Sequence, residues 1–275
     1  MPVNYGANNY KTMAHIKCNG INIYYEINGE GIPLILISGL GGDHFFWQLS
    51  VKILSAHFQV ITFDTRGIGQ TDAPKESYSL DIFADDLIAL MDKLQIDKAY
   101  ILGFSMGGNI ALMLALKHPE RILKLIIAAS HAGINQQIRL FVDAVLNAYE
   151  TGISTKQMFN LICPWLFSNS FLSDPKNAAY LQYDENEPGQ QPLYAWKNQY
   201  LAQREYNVVD SIDKIKLPAL IINGELDLFA TLEDAKVLNE KIERSILKVI
   251  PQSGHLINYE NPELFHEYIL DFLKE

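Results

Sequence analysis

The stretch Lys98-Ala99-Tyr100-Ile101-Leu102-Gly103-Phe104-Ser105-Met106-Gly107-Gly108-Asn109-Ile110-Ala111-Leu112 decides the fold. Its first half is a continuous apolar run, as expected of a strand covered on both faces. Its second half reads as a buried helix reaching His118 and ended by Pro119. Between them lies Gly103-Phe104-Ser105-Met106-Gly107, a G-x-S-x-G pentapeptide in a strand–turn–helix setting. A serine on so sharp a turn sits in a sparsely allowed backbone region, at a cost of about 1–3 kcal/mol. Residues two before and two after it must be small to avoid collision, and both are glycine. The following helix points its N-terminus at the serine, which favours negative charge developing there. Ser105 is the candidate nucleophile.

Outward from this stretch, strand and helix patterns alternate. Residues 14–18 and 21–28 alternate around Asn19-Gly20, a hairpin signal. Residues 34–38, 59–64 and 122–129 read as further strands, and 44–56 and 80–94 as amphipathic helices. After a break, residues 217–223 and 246–250 read as strands, with a helix over 232–240 between them. A final helix starts at Asn261-Pro262, where Asn suits the cap and Pro the first helical position. Alternating β and α implies an α/β fold with a mostly parallel central sheet and helices on both faces. Ligands then sit beyond the carboxyl ends of the strands. From His131 to Asp210 the alternation gives way to helical, aromatic-rich sequence. The expected organisation is a core of residues 14–130 and 211–275, with a helical cap of residues 131–210 inserted in it.

A serine nucleophile needs a general base, and the base needs a partner that fixes its tautomer. His255 lies in Pro251-Gln252-Ser253-Gly254-His255, just past the last strand, and is the candidate base. Of the other six histidines, His44 and His131 follow strand ends and could line a pocket. His15 lies in the first strand, before the sheet core. His57, His118 and His266 sit at or on helices, where a solvated or capping role is expected. For the acid, Asp227 follows the strand over 217–223, with Glu225 as the local alternative.

The order Ser105, Asp227, His255, each past its own strand, resembles the α/β-hydrolase superfamily over residues 21–273. The segment Asp64-Thr65-Arg66-Gly67-Ile68-Gly69-Gln70-Thr71-Asp72 resembles that superfamily's D-x-R-G-x-G-x-S landmark, with Thr71 in place of Ser. Asp64 and Arg66 then read as structural, holding a loop near the site. The resemblance implies an oxyanion hole from the backbone N–H groups of Met106 and Leu40, the latter in Ser38-Gly39-Leu40-Gly41-Gly42. Ser38 stands where the common pattern has His, so the loop's bracing must differ. Gly39-Leu40-Gly41-Gly42, Cys163-Pro164-Trp165-Leu166-Phe167 and Gly254-His255-Leu256-Ile257-Asn258 resemble enol-lactonase and aminoacrylate-hydrolase members. The resemblance implies a serine hydrolase for a small, largely apolar carboxylic ester, lactone or thioester. Carbon–carbon cleavage, carbamate hydrolysis, perhydrolysis and a non-catalytic ligand-binding role stay open.

The cap holds twelve aromatics in 80 residues, against eighteen in the remaining 195, which suggests an apolar pocket beneath it. Phe141 and Trp165 are the candidate substrate contacts. Tyr149, Phe159, Phe167, Phe171, Tyr194, Trp196 and Tyr200 are further candidates for its wall. The cap carries five Lys or Arg against eight Asp or Glu, so a basic dock for an acidic carrier protein is not expected.

A formal charge of −10 disfavours nucleic acid as a partner, because phosphate binding needs clustered cations. Residues 1–13 do not read as a signal peptide, and no apolar run reads as a membrane span, so the expected location is cytoplasmic. Cys18 and Cys163 match no metal spacing and read as two buried thiols. No metal or organic cofactor is expected. The Gly39–Gly42 run lacks the G-x-G-x-x-G form of a dinucleotide site. The expected partner is a small-molecule substrate.

Overall fold

The structure, a computed structural model, describes residues 12–183 and 191–275; most of the Asn-rich start and part of the cap sequence lie outside them. Eight strands form one sheet: β1 (Thr12–Cys18), β2 (Ile21–Asn28), β3 (Pro33–Ile37), β4 (Gln59–Phe63), β5 (Ala99–Phe104), β6 (Ile122–Ala128), β7 (Ala219–Gly224) and β8 (Ser245–Ile250). Their spatial order is β1-β2-β4-β3-β5-β6-β7-β8. β1 pairs with β2, and β2 with β4, antiparallel; every other pairing is parallel.

The continuous apolar strands follow from burial on both faces. In β3, Ile35 and Ile37 join a core that includes Leu87, Leu90, Ile110 and Leu238. Leu34 and Leu36 join the opposite core, with Trp47, Leu54, Phe265 and Ile269. The first core is covered by α2 (Leu80–Lys93), α3 (Met106–Lys117) and α8 (Leu232–Lys241), the second by α1 (Gln48–Leu54) and α10 (Pro262–Lys274). Asn261 caps α10 as expected, its side chain accepting from the Leu264 N–H. A short turn of helix, α9 (Ile257–Glu260), precedes it.

The expected helix over 44–56 is split. His44–Trp47 is a tight 3₁₀ turn, and α1 follows. Asp64 explains the split: its Oδ1 takes both the His44 N–H and the His44 ring, tying this turn to the end of β4. Between β6 and β7 lie α4 (Gln136–Glu150), α5 (Thr155–Leu166), α6 (Asn169–Ser173) and α7 (Leu193–Arg204). The two ends of this excursion meet: Gly133 bridges Asn207, and Val208 N–H donates to the Ala132 carbonyl at 2.7 Å. Cys18 and Cys163 are buried free thiols. Among the described residues no helix is long and apolar enough to cross a membrane.

Candidate active site

Ser105 sits between β5 and α3 with φ 53° and ψ −120°. The glycines on either side are required by contact. A Cβ on Gly103 would lie 2.1 Å from the Gly107 carbonyl oxygen, and one on Gly107 would lie 2.2 Å from that of Ile37. The Ser105 N–H is held by the Ala128 carbonyl and its own carbonyl by the Ser130 hydroxyl. Asn109 in turn donates to Ser130 Oγ and to the His131 carbonyl. Backbone strain of about 1–3 kcal/mol at Ser105 is thus locked in from three sides.

His255 Nε2 stands 3.0 Å from Ser105 Oγ. Its Nδ1 faces both Asp227 oxygens, at 2.8 and 3.0 Å. A ring nitrogen facing a carboxylate carries the proton, so Nε2 is left as the acceptor toward the serine. Asp227 is buried, and its Oδ1 also accepts from the N–H groups of Phe229 and Ala230. Glu225, the alternative acid, is exposed and accepts from the Gln252 N–H instead.

The Ser38–Gly42 loop closes against Ser105. A Cβ on Gly39 would come within 3.1 Å of the Ser105 Cβ. Ser38 braces the loop by donating its hydroxyl to the Asp43 carbonyl, and Gly42 N–H returns to the Gly39 carbonyl. The N–H of Met106 opens α3, where no preceding helical turn can accept it. Leu40 lines the space in front of Ser105, whereas Met106, fully buried and next to Ser105 in the chain, is not part of its wall.

That space is a cavity of about 590 Å³, lined by Ser105, His255 and the Gly39–Gly42 loop at its reactive end. From α4 it takes Ile138, Phe141, Val142 and Val145, and from α5 Phe159, Ile162, Cys163 and Leu166. Both sets follow i, i+3, i+4, i+7, one stripe of a helix. Trp165 falls off the α5 stripe. It does not line the cavity, is 42% exposed, and touches it only through its ring contact with Phe141 at 4.9 Å. Of the other aromatic candidates, Phe159, Phe167 and Trp196 line the cavity; Tyr149, Phe171, Tyr194 and Tyr200 do not.

The remaining histidines separate in the same way. His131 lines the cavity. His44 does not: its ring is spent on Asp64 at 2.7 Å, with Glu26 at 3.5 Å beyond. Burial opposes charge on that ring, yet the Asp64 hydrogen bond and the nearby carboxylates raise its pKa. Asp43, His44 and Asp64 bring their donor atoms within 4.8 Å of one another, but Asp64 already serves the His44 ring and the N–H groups of His44 and Gln70. His266 is buried rather than solvated, donating to the Pro262 carbonyl and accepting from Ser50. Arg66 forms a two-pronged pair with Asp86, as expected of a structural residue.

Three braces escape the sequence reading. The Ser130–Asn109 pair behind Ser105 is one. Gln199 on α7 is another, accepting from the Gly41 N–H and donating to the Arg66 carbonyl and to Thr65. The third is Glu260, whose carboxylate accepts from Ser168 N–H and hydroxyl and from the Gly254 N–H. The Leu166 carbonyl accepts from the His255 and Leu256 N–H groups, so the end of α5 and the His255 loop are joined directly. None of these residues stands in a motif; only their contacts reveal them.

A family model described as alpha/beta hydrolase fold matches residues 32–262. The chain is 31% identical to 3-oxoadipate enol-lactonase 1 of Acinetobacter baylyi, over 93% of this chain and 94% of that protein. It is 31% identical to the 2-hydroxymuconate semialdehyde hydrolase of a Pseudomonas species, over 93% and 92%. The crystal structure of an enol-lactonase from Burkholderia xenovorans superposes with a TM-score of 0.86 at 27% identity, covering 95% of this chain and all of that one. Sheet order, elbow geometry and similarity over nearly the whole chain agree, and the chain belongs to the α/β-hydrolase fold family.

Proposed function

We propose that this protein is a serine hydrolase that cleaves a small, largely apolar carboxylic ester, lactone or thioester through an acyl-enzyme. The observation that carries the reading is the continuous chain Ser105–His255–Asp227, at 3.0 and 2.8 Å, opening into an apolar cavity. Ser105 Oγ attacks the substrate carbonyl carbon while its proton passes to His255 Nε2. Asp227 holds the ring and stabilises the imidazolium. The oxyanion is met by the N–H groups of Leu40 and Met106, each worth roughly 3 kcal/mol. Collapse expels the leaving group, which takes the proton from His255. Water, activated by the neutral ring, then attacks the acyl-enzyme, and Ser105 leaves with the proton.

The test is Ser105→Ala on activated esters together with mass spectrometry after a fluorophosphonate probe. The variant is expected to lose about 10⁶ in turnover, and the wild type to carry an adduct on Ser105. Wild-type rates in the variant, or no adduct at Ser105, would overturn the assignment and favour a ligand-binding role. Similarity to a protein named as a semialdehyde hydrolase favours carbon–carbon cleavage as a second reading with the same residues. Product analysis with a dione substrate separates the two.

A further inference from the structure

The proposed cycle leaves one buried polar group in the cavity unused. His131 follows β6, is only 8% exposed, and lines the cavity wall. Its carbonyl is taken by Asn109, but its Nδ1 is sealed from solvent and has no hydrogen-bond partner. Packing does not explain such a ring, because an apolar side chain would fill the space without stranding a polar atom. Burial pushes its pKa down to about 4; Asp234 opposes the shift and His255 adds to it, so the ring is neutral near pH 7. In a neutral ring one nitrogen keeps the proton. A sealed site tolerates a lone pair better than a stranded N–H. The proton therefore belongs on Nε2, the ring nitrogen that is not sealed in this way.

A second neutral group lines the same cavity. Gln203 of α7 is 8% exposed and lines the cavity, and its side-chain amide makes no hydrogen bond among the described residues. No Lys or Arg is among the described residues lining the cavity. A substrate carboxylate there would be buried without a cation, which is strongly unfavourable. A neutral oxygen on the substrate would give either group a partner without burying a charge. The acyl part of a substrate stays bonded to Ser105 until water releases it, whereas the leaving group of an ester departs first and that of a lactone stays tethered to the acyl chain. Deeply buried polar groups thus suit the acyl part.

We propose that His131 and Gln203 form a polar subsite for a neutral oxygen on the acyl chain, selecting oxo- or hydroxy-acyl esters and lactones over plain alkyl ones. The inference rests on the serine-hydrolase reading and narrows its substrate class. His131 acts here as a specificity residue, with no part in bond making.

The experiment compares p-nitrophenyl pentanoate, 4-oxopentanoate and hydrogen glutarate, each rate divided by that ester's own hydroxide rate. The wild type is expected to favour the 4-oxopentanoate over the pentanoate by about tenfold in kcat/KM. His131→Phe is expected to lose that preference, chiefly through KM, and His131→Gln to keep most of it. Gln203→Leu, a variant at a separate position, is expected to reduce it. Equal losses on both esters in His131→Phe would mean a packing role and would overturn the subsite. A wild-type preference for the pentanoate or the hydrogen glutarate would overturn it as well. Calorimetric binding of the same esters to Ser105→Ala reads the subsite without turnover. A Ser105 that takes no fluorophosphonate would sink the catalytic reading while this binding preference still stands or falls by itself.

Discussion

Asp227 carries two loads at once. One oxygen accepts from the Phe229 and Ala230 N–H groups, and both face His255 Nδ1. Asp227→Asn can keep the first set through its amide oxygen while reversing the tautomer of the base. Turnover on an activated ester is expected to fall by about 10⁴, with the melting temperature nearly unchanged; turnover within tenfold of wild type would contradict the role. His131 makes a separate prediction about acid stability. Its folded pKa, about 4, lies below its ordinary value of 6.5. Between those pH values the unfolded chain binds a proton that the folded one does not. Stability is therefore full above about pH 6.5 and is lost as pH falls toward 4. His131→Phe should flatten this limb in urea midpoints measured from pH 7 to 4. Parallel curves for variant and wild type would show that the ring is protonated in place.

At the scale of elements, the helical excursion between β6 and β7 is joined directly to the loop that carries His255. Glu260, at the end of α9, binds the start of α6 and the residue before His255 in one carboxylate. Burial raises its pKa, and those three hydrogen bonds pull the other way. A Cβ on Gly254 would lie 2.7 Å from the Ser168 nitrogen, so the junction has no slack. Glu260→Leu strands two N–H groups and should cost about 1–3 kcal/mol. It should also lower kcat, because Gly254 sets the approach of His255. Thermal melts and steady-state rates check this; full activity would show that the base loop holds its place without the clamp. The sheet and the helices around it were legible because the central strands carry short apolar runs, the first two alternate, and helices such as α2 and α10 carry an apolar stripe. The split at His44–Trp47 was not, since it depends on Asp64, a residue twenty positions away. That Trp165 lies behind Phe141 rather than on the cavity wall was not legible from aromatic content alone, because the period of its helix decides it. Phe159, Ile162, Cys163 and Leu166 share one stripe, and Trp165 lies off it.

For the molecule as a whole, the candidate site was more readable than its walls. Ser105, Asp227 and His255 each follow a strand, where local sequence sets the turn. The walls come from helices packed across long sequence distances, and the braces from side chains such as Gln199 with no motif around them. The cavity, about 590 Å³ and mostly apolar, makes a prediction at this scale. Each methylene buried is worth about 0.8 kcal/mol, so kcat/KM should rise roughly fourfold per carbon along a series of alkyl esters. The rise should stop once the cavity is filled. A series that declines from acetate onward would rule out an acyl pocket of this kind.

Gly133 and Asn207 lie side by side where the chain leaves the sheet after β6 and where it comes back before β7. The two ends of the excursion therefore enter and leave at one place. Residues could therefore be gained or lost between these two positions with β6 and β7 still paired, provided that the contacts of Leu166, Ser168 and Gln199 with the loops around Ser105 and His255 are kept.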